Sequence, residues 1–94
     1  MAFSHDGKFQ LRLDDLVWRE AGDELVVLEL STTTYLTLNG TARLLWEKLT
    51  DASTFDGLVE MLVERFPITA DQARSDAEAF LTTLVDRDVV VRYD

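Results

Sequence analysis

Few residues in this chain are of the types that catalyse reactions or hold metal ions. The chain has one histidine, His5, and no cysteine, so it has no thiolate nucleophile, disulfide or cysteine-bearing zinc site. His5 lies in a polar N-terminal stretch, where we expect it to be solvated. The carboxylates of Asp14-Asp15 and Asp23-Glu24 are adjacent in sequence, and adjacent side chains of a strand point to opposite faces. We interpret them as turn and solvating residues, and we expect no catalytic site, metal site or cofactor.

The charge of the chain argues against nucleic acid and membranes as partners. Eighteen acidic residues against nine basic ones give a net charge of −9, which both kinds of anionic partner would repel. No stretch approaches the ~18–20 consecutive apolar residues of a membrane span, and the N-terminus lacks the pattern of a secretory signal. We therefore expect a cytoplasmic protein that binds neither nucleic acid nor a membrane.

The first half of the sequence has the two-residue period of β-strands. Strand character appears over residues 9–13, resumes over residues 16–20 after Asp14-Asp15, and returns over residues 25–30 and 34–38, with connections too short for helical crossovers. In the last of these segments Leu36 and Leu38 share one face, and Tyr35 and Thr37 share the other. We expect a three-stranded antiparallel meander that ends at residue 38.

The second half has a period near 3.6, which predicts three helices. The first carries Trp46 on its apolar side, where we expect core packing, while Trp18 should be partly buried at a sheet margin. The second helix should end at Pro67, and Thr69 with Gln72 is a capping-box pattern for the third. Residues 89–91 are β-branched and should form a short extra strand or a tail packed on the body.

Strands followed by helices predict a single α+β domain at residues 9–94, with the helices on one sheet face and a flexible segment at residues 1–8. Three short helices beside a sheet resemble a winged helix-turn-helix. A DNA reader needs a basic recognition helix, however, and the third helix is acidic, with Asp71, Asp76, Glu78 and Asp86 against Arg74 and Arg87. We therefore expect the domain to bind a protein or peptide.

The last strand of the predicted meander would leave one edge of the sheet unpaired. Residues 34–38 contain no charge, lysine or proline, which are the usual protection of an exposed edge. Either a helix or the tail at residues 89–91 covers this edge, or a partner peptide adds to it as a further strand. The sequence leaves both alternatives open.

The stretch from Tyr35 to Trp46, in which a strand ends in Leu-Asn and a helix opens toward a tryptophan, resembles the PqqD family. The similarity extends over roughly residues 9–92. It implies a domain that recognises the leader of a ribosomally made precursor peptide. The leader would add as an antiparallel strand to the third strand and pack against the third helix, residues 70–87. Carried onto this sequence, the implied peptide-binding residues are Thr33, Thr34, Tyr35, Leu36, Thr37, Leu38, Asp76, Ala77, Phe80, Leu81 and Leu84.

Two biosynthetic settings fit a stand-alone chain of this kind. The resemblance favours the leader-recognition protein of lasso-peptide biosynthesis, whose partners are a leader peptidase and a macrolactam synthetase. The alternative is the peptide chaperone of pyrroloquinoline quinone biosynthesis. An assembly subunit of another complex, a DNA-binding regulator and an enzyme are the remaining classes to weigh.

Overall fold

The computed structural model describes residues 7–93, in which two antiparallel sheets and three α-helices surround one core. In chain order the elements are β1 (Lys8–Leu11), a 3₁₀ turn (Leu13–Asp15), β2 (Leu16–Ala21), β3 (Glu24–Glu29), β4 (Thr34–Leu38), α1 (Gly40–Lys48), β5 (Ser53–Thr54), α2 (Phe55–Arg65), α3 (Ala70–Asp86) and β6 (Val90–Tyr93). His5 and the rest of residues 1–6 lie outside the described part. Lys8, which the sequence placed in the flexible segment, begins β1.

The predicted three-stranded meander is confirmed as the sheet β2–β3–β4, with β3 at its centre. Gly22 lies in the tight turn between β2 and β3 with φ 65°, a conformation that glycine adopts without strain. Residues 25, 27 and 29 of β3 are buried, whereas residues 26 and 28 are half-buried on the other side. This alternation gives the sheet an inner face toward the helices and an outer face away from them.

The first strand does not belong to this meander, and that part of the prediction is wrong. β1 pairs antiparallel with β6 on one side and with β5 on the other, which forms a second three-stranded sheet. The 3₁₀ turn separates β1 from β2, and the chain continues the β1–β6 pairing with a bond from the Arg12 N–H to the Val89 carbonyl at 2.9 Å. The predicted strand near residues 89–91 is therefore confirmed as β6.

The boundary between α2 and α3 lies where Pro67 and Thr69 predict it. The Thr69 hydroxyl accepts a hydrogen bond from the Gln72 N–H at 3.1 Å and caps α3. The capping box is incomplete, because the Gln72 side chain donates to Asp76 at 2.8 Å instead of returning to the cap. At the start of α2 the Thr54 hydroxyl accepts from the Gly57 N–H at 3.0 Å.

The core lies between the helices, the inner face of β2–β3–β4 and the second sheet. Trp46 is fully buried in it, as predicted, and the half-buried Trp18 packs against it in a T-shaped arrangement with ring centroids 5.6 Å apart. No helix in residues 7–93 is long and apolar enough to cross a membrane. The likeness to a winged helix-turn-helix stays a prediction.

Candidate functional site

β4 is an edge strand, as predicted. Within residues 7–93 it pairs with β3 and with no other strand, and β6, the candidate to cover it, pairs with β1. The alternative in which the C-terminal tail protects this edge is therefore wrong. In the part of the chain that the structure describes, no strand pairs with the other side of β4, and Tyr35 and Thr37 are exposed there.

The phase of the backbone hydrogen bonds shows which β4 residues face outward. The Leu30 N–H donates to the Asp15 carbonyl at 2.9 Å, which marks a hydrogen-bonded pair at the end of the β2–β3 ladder. Hydrogen-bonded and non-bonded pairs alternate in an antiparallel ladder, so residues 24, 26 and 28 of β3 bond to β2, and residues 25, 27 and 29 bond to β4.

The consequence for β4 follows from its register, which pairs Glu29 with Thr34 and Val27 with Leu36. Residues 34, 36 and 38 direct their N–H and C=O groups toward β3. Tyr35 and Thr37 direct theirs toward the open edge. Four backbone groups, two donors and two acceptors, are thus aligned for an incoming strand.

A groove of ≈ 290 Å³ lies between the start of α1 and the middle of α3. Its α1 wall follows directly after β4, because Asn39 is extended and Gly40 begins the helix with φ 55°. The lining residues are Thr41, Ala42, Leu45, Asp76, Ala79, Phe80 and Thr83. The groove therefore combines an apolar surface with one carboxylate, beside the C-terminal end of the open edge.

Two predicted residues of α3, Asp76 and Phe80, line this groove. The half-buried Phe80 packs against the core from one side and faces the groove from the other. The Asp76 carboxylate accepts a hydrogen bond from Gln72 Nε2 at 2.8 Å, so one of its oxygens has a partner within the helix. Both side chains are placed to contact a ligand in the groove.

The three other predicted residues of α3 lie in the core. Ala77, Leu81 and Leu84 have at most 1% of their surface exposed, and none lines the groove. They support the groove from beneath, since their helical spacing puts them on the face directed inward. Of the predicted β4 residues, Tyr35 and Thr37 are exposed, Thr34 and Leu36 are half-buried, and Leu38 is buried. Thr33, with φ 55°, belongs to the turn before the strand.

Several groove residues were missed by sequence reasoning. Ala79 and Thr83 follow Asp76 at helical spacing and could have been found by extending that face of α3. Thr41 and Ala42 on α1 carry no such signal, because nothing in the sequence states that the first turn of α1 faces the middle of α3.

An ion pair between a buried carboxylate and a half-buried guanidinium links α3 to the sheet. Glu29, at the end of β3, is 3% exposed, and its Oε2 accepts from Arg87 Nη2 at 2.5 Å and from Arg87 Nε at 3.1 Å. Arg87 is the C-cap of α3. The pair therefore links the strand next to β4 to the helix that forms the far wall of the groove.

A second ion pair links α1 to the sheet. The Arg43 guanidinium contacts Glu20 of β2 and lies 3.1 Å from Glu47 Oε1. The hydrogen bond to Glu47, with the charges of Glu20 and Asp23, raises the pKa of Arg43. Residues 7–93 contain no group of three or more histidine, cysteine, aspartate or glutamate side chains that could hold a metal ion.

Comparisons with known proteins agree with the architecture. The chain has a TM-score of 0.77 and 22% identity with a structure described as TbiB1 in complex with the TbiA(beta) leader peptide, over 86% of this chain and 93% of that one. It has a TM-score of 0.76 and 23% identity with a lasso peptide synthetase B1 complexed with the leader peptide, over 88% and 96%. At these identities the likeness shows the fold. A search of curated proteins found no significant match. The family model of coenzyme PQQ synthesis protein D matches residues 24–90, and the chain therefore belongs to the PqqD family.

Proposed function

We propose that this protein binds the leader segment of a ribosomally synthesised precursor peptide by strand addition to β4. The observation that carries the proposal is the open edge at Tyr35 and Thr37 beside the groove between α1 and α3. Membership of the PqqD family supports it, as does the fold shared with two proteins whose structures contain leader peptides.

The bound segment runs antiparallel to β4 and pairs with four or five of its residues. Peptide residues opposite Tyr35 and Thr37 exchange backbone hydrogen bonds with them and direct their side chains to the outer face of the sheet. The residue opposite Leu36 directs its side chain to the inner face, toward the groove. Peptide residues opposite positions 34 and 38 share that direction.

This geometry predicts the composition of the leader segment. Alternate residues, at positions i, i+2 and i+4, should be apolar where they meet Leu36, Phe80 and the apolar wall of α1. The residues between them contribute mainly backbone hydrogen bonds and tolerate substitution. Asp76 favours a hydrogen-bond donor or a basic group near the groove.

The role of the protein is to hold the peptide for other enzymes. It supplies no catalytic groups of its own, and it presents the leader to a leader peptidase and a macrolactam synthetase in lasso-peptide biosynthesis. The fold shared with a lasso peptide synthetase B1 favours this setting over that of a peptide chaperone in pyrroloquinoline quinone biosynthesis. This step takes place in the cytoplasm, where the precursor is made.

Selection from a library of random peptides of about twelve residues, displayed on phage, tests the binding mode without knowledge of the precursor. Selected peptides should show alternating apolar positions and should compete with one another for one site. Tyr35→Pro should bind the selected peptides at least several-fold more weakly, and Val17→Lys, on the opposite edge strand, should bind them like the wild type. Selection that yields no binders, or binders unaffected by Tyr35→Pro, would contradict the proposal.

A further inference from the structure

The outer face of β2–β3–β4 is an apolar surface that the helices leave uncovered. We define the outer sheet face by Val17, Arg19, Val26, Leu28 and Tyr35, whose registers place them on three adjacent strands. None of these side chains belongs to the hydrophobic core or packs against it. Together with Trp18 they line a depression of ≈ 220 Å³.

Exposure on this face is high for apolar side chains. Tyr35 is 66% exposed and Val17 is 53% exposed, and they flank the half-buried Leu28 in one row across the sheet. Other exposed apolar residues, such as Val63 of α2, Val85 of α3 and Tyr93 of β6, lie on separate elements. Exposed apolar side chains gathered on one face in this way form a candidate contact surface.

The charges of the face are complementary to those of the same face on a second copy of this chain. The whole chain carries a net charge of −9, so most of its surface repels another copy. The outward positions of the three strands hold one acidic residue, Glu24, and one basic residue, Arg19, both exposed. A face with an apolar centre, one acid and one base offers opposite charges to an identical face.

We propose that two copies of the protein associate outer sheet face to outer sheet face. Sheets pack in this way about 10 Å apart with their strands roughly aligned. The proposed arrangement is the one that brings Arg19 of each copy near Glu24 of its mate. The inner face and the groove between α1 and α3 remain free in both copies.

The size of the face sets the strength of the association. Three strands about 4.8 Å apart and five residues at about 3.4 Å each give a face of roughly 15 Å by 17 Å. This is far below the ~800 Å² per partner of stable complexes, so the dimer is weak and forms at high protein concentration. Salt strengthens it, because screening reduces the repulsion between two chains of net charge −9 more than it reduces the attraction of the Arg19–Glu24 pairs.

Peptide binding should strengthen this dimer. A strand added to β4 widens the sheet from three strands to four, and its outward side chains extend the face beside Tyr35. This coupling rests on the proposed function, whereas the self-association does not. Self-association can therefore be refuted without refuting peptide binding, and peptide binding without refuting self-association.

Sedimentation velocity of the purified chain, from about 10 μM to about 1 mM, tests the association without any peptide. The weight-average sedimentation coefficient should rise with concentration, and more steeply in about 0.5 M NaCl than in about 0.05 M. Val17→Lys should remain monomeric over the whole range. The matched control Val63→Lys, which adds the same charge at an exposed valine of α2, should associate like the wild type.

A charge exchange provides a second variant that keeps the apolar centre intact. Arg19→Glu should weaken the association several-fold, and adding Glu24→Arg to it should restore the association. Circular dichroism confirms that each variant is folded. A wild-type chain that stays monomeric at about 1 mM in high salt would overturn the proposal. Equal association of Val17→Lys and Val63→Lys would also overturn it. The same holds if adding Glu24→Arg to Arg19→Glu does not restore the association.

Discussion

Replacing Tyr35 by proline should strongly weaken peptide binding while the domain stays folded. The Tyr35 N–H points to the open edge of β4, so proline removes a donor that the folded protein does not use internally. Thr34→Pro is the opposite case, because the Thr34 N–H points to Glu29 of β3. The two substitutions are adjacent in sequence and should have different consequences.

The magnitudes follow from the number of backbone bonds at stake. In Tyr35→Pro the hydrogen bond from the lost donor disappears. The pyrrolidine ring also holds the peptide backbone away from β4, so that one adjacent hydrogen bond is lost as well. Two bonds at ~0.5–1.5 kcal/mol each give about 1–3 kcal/mol, or ~5- to 150-fold in affinity. In Thr34→Pro a ladder bond is lost and the Glu29 carbonyl is left without its donor, which destabilises the fold by roughly 2–4 kcal/mol.

Tyr35→Ala is the matched control for the proline variant. It removes the phenol ring and retains the backbone donor, so its affinity for a display-selected peptide should stay within a few-fold of the wild type. Fluorescence anisotropy of the labelled peptide measures the affinity, and urea denaturation measures the stability of each variant. Equal affinities of Tyr35→Pro and Tyr35→Ala would refute the reasoning, because strand addition to β4 requires that donor.

Three further substitutions separate the groove from its support. Removing the partner of the buried Glu29 with Arg87→Met should reduce the free energy of unfolding by about 3 kcal/mol in urea titrations. Glu29→Met with Arg87→Met should recover most of the loss, and an additive double variant would contradict this. Leu84→Ala should destabilise the fold by ~2–5 kcal/mol and leave the affinity of the folded protein for the peptide unchanged. A large loss of affinity without loss of stability would instead show that Leu84 contacts the peptide. Asp76→Ala should keep the fold and alter only the contacts with the peptide. The affinity of the wild type for the peptide should change little between about 0.05 and 0.5 M salt, and a tenfold decrease with salt would show that ion pairs dominate binding.

Much of the fold could be predicted because its signals are local. Pro67 and the Thr69 cap mark the boundary between α2 and α3, and the alternation of Leu36 and Leu38 with Tyr35 and Thr37 gives the faces of β4. The open edge of β4 was also predictable, since nothing in its composition protects it.

The pairing of β1 with β6 could not be predicted in this way. Lys8 pairs with Tyr93 and Leu11 with Val90, across almost the whole length of the chain. Periodicity shows that a segment forms a strand and which face it buries, but it carries no information about a distant pairing partner. The short β5 has no strand signal at all, and its pairing depends on β1 being beside it.

Periodicity was also insufficient to predict which single side chains of α3 line the groove. Ala77 and Leu81 were predicted to contact the peptide, and they lie in the core, whereas their neighbours Asp76 and Phe80 line the groove. One residue along a helix turns the side chain by about 100°. Periodicity locates the apolar face of α3, but the rotation that divides core from groove is fixed by how α3 packs on α1 and the sheet.

Amide hydrogen exchange in β4, followed by NMR with and without a display-selected peptide, tests the central claim most directly. In the free protein the Leu36 amide should be protected by β3, and the Tyr35 and Thr37 amides should exchange quickly. Adding the peptide should protect Tyr35 and Thr37 strongly and leave Leu36 nearly unchanged. Protection that appears instead at Trp18 and Glu20, on the outer edge of β2, or fast exchange of Tyr35 and Thr37 in the saturated complex, would contradict strand addition to β4.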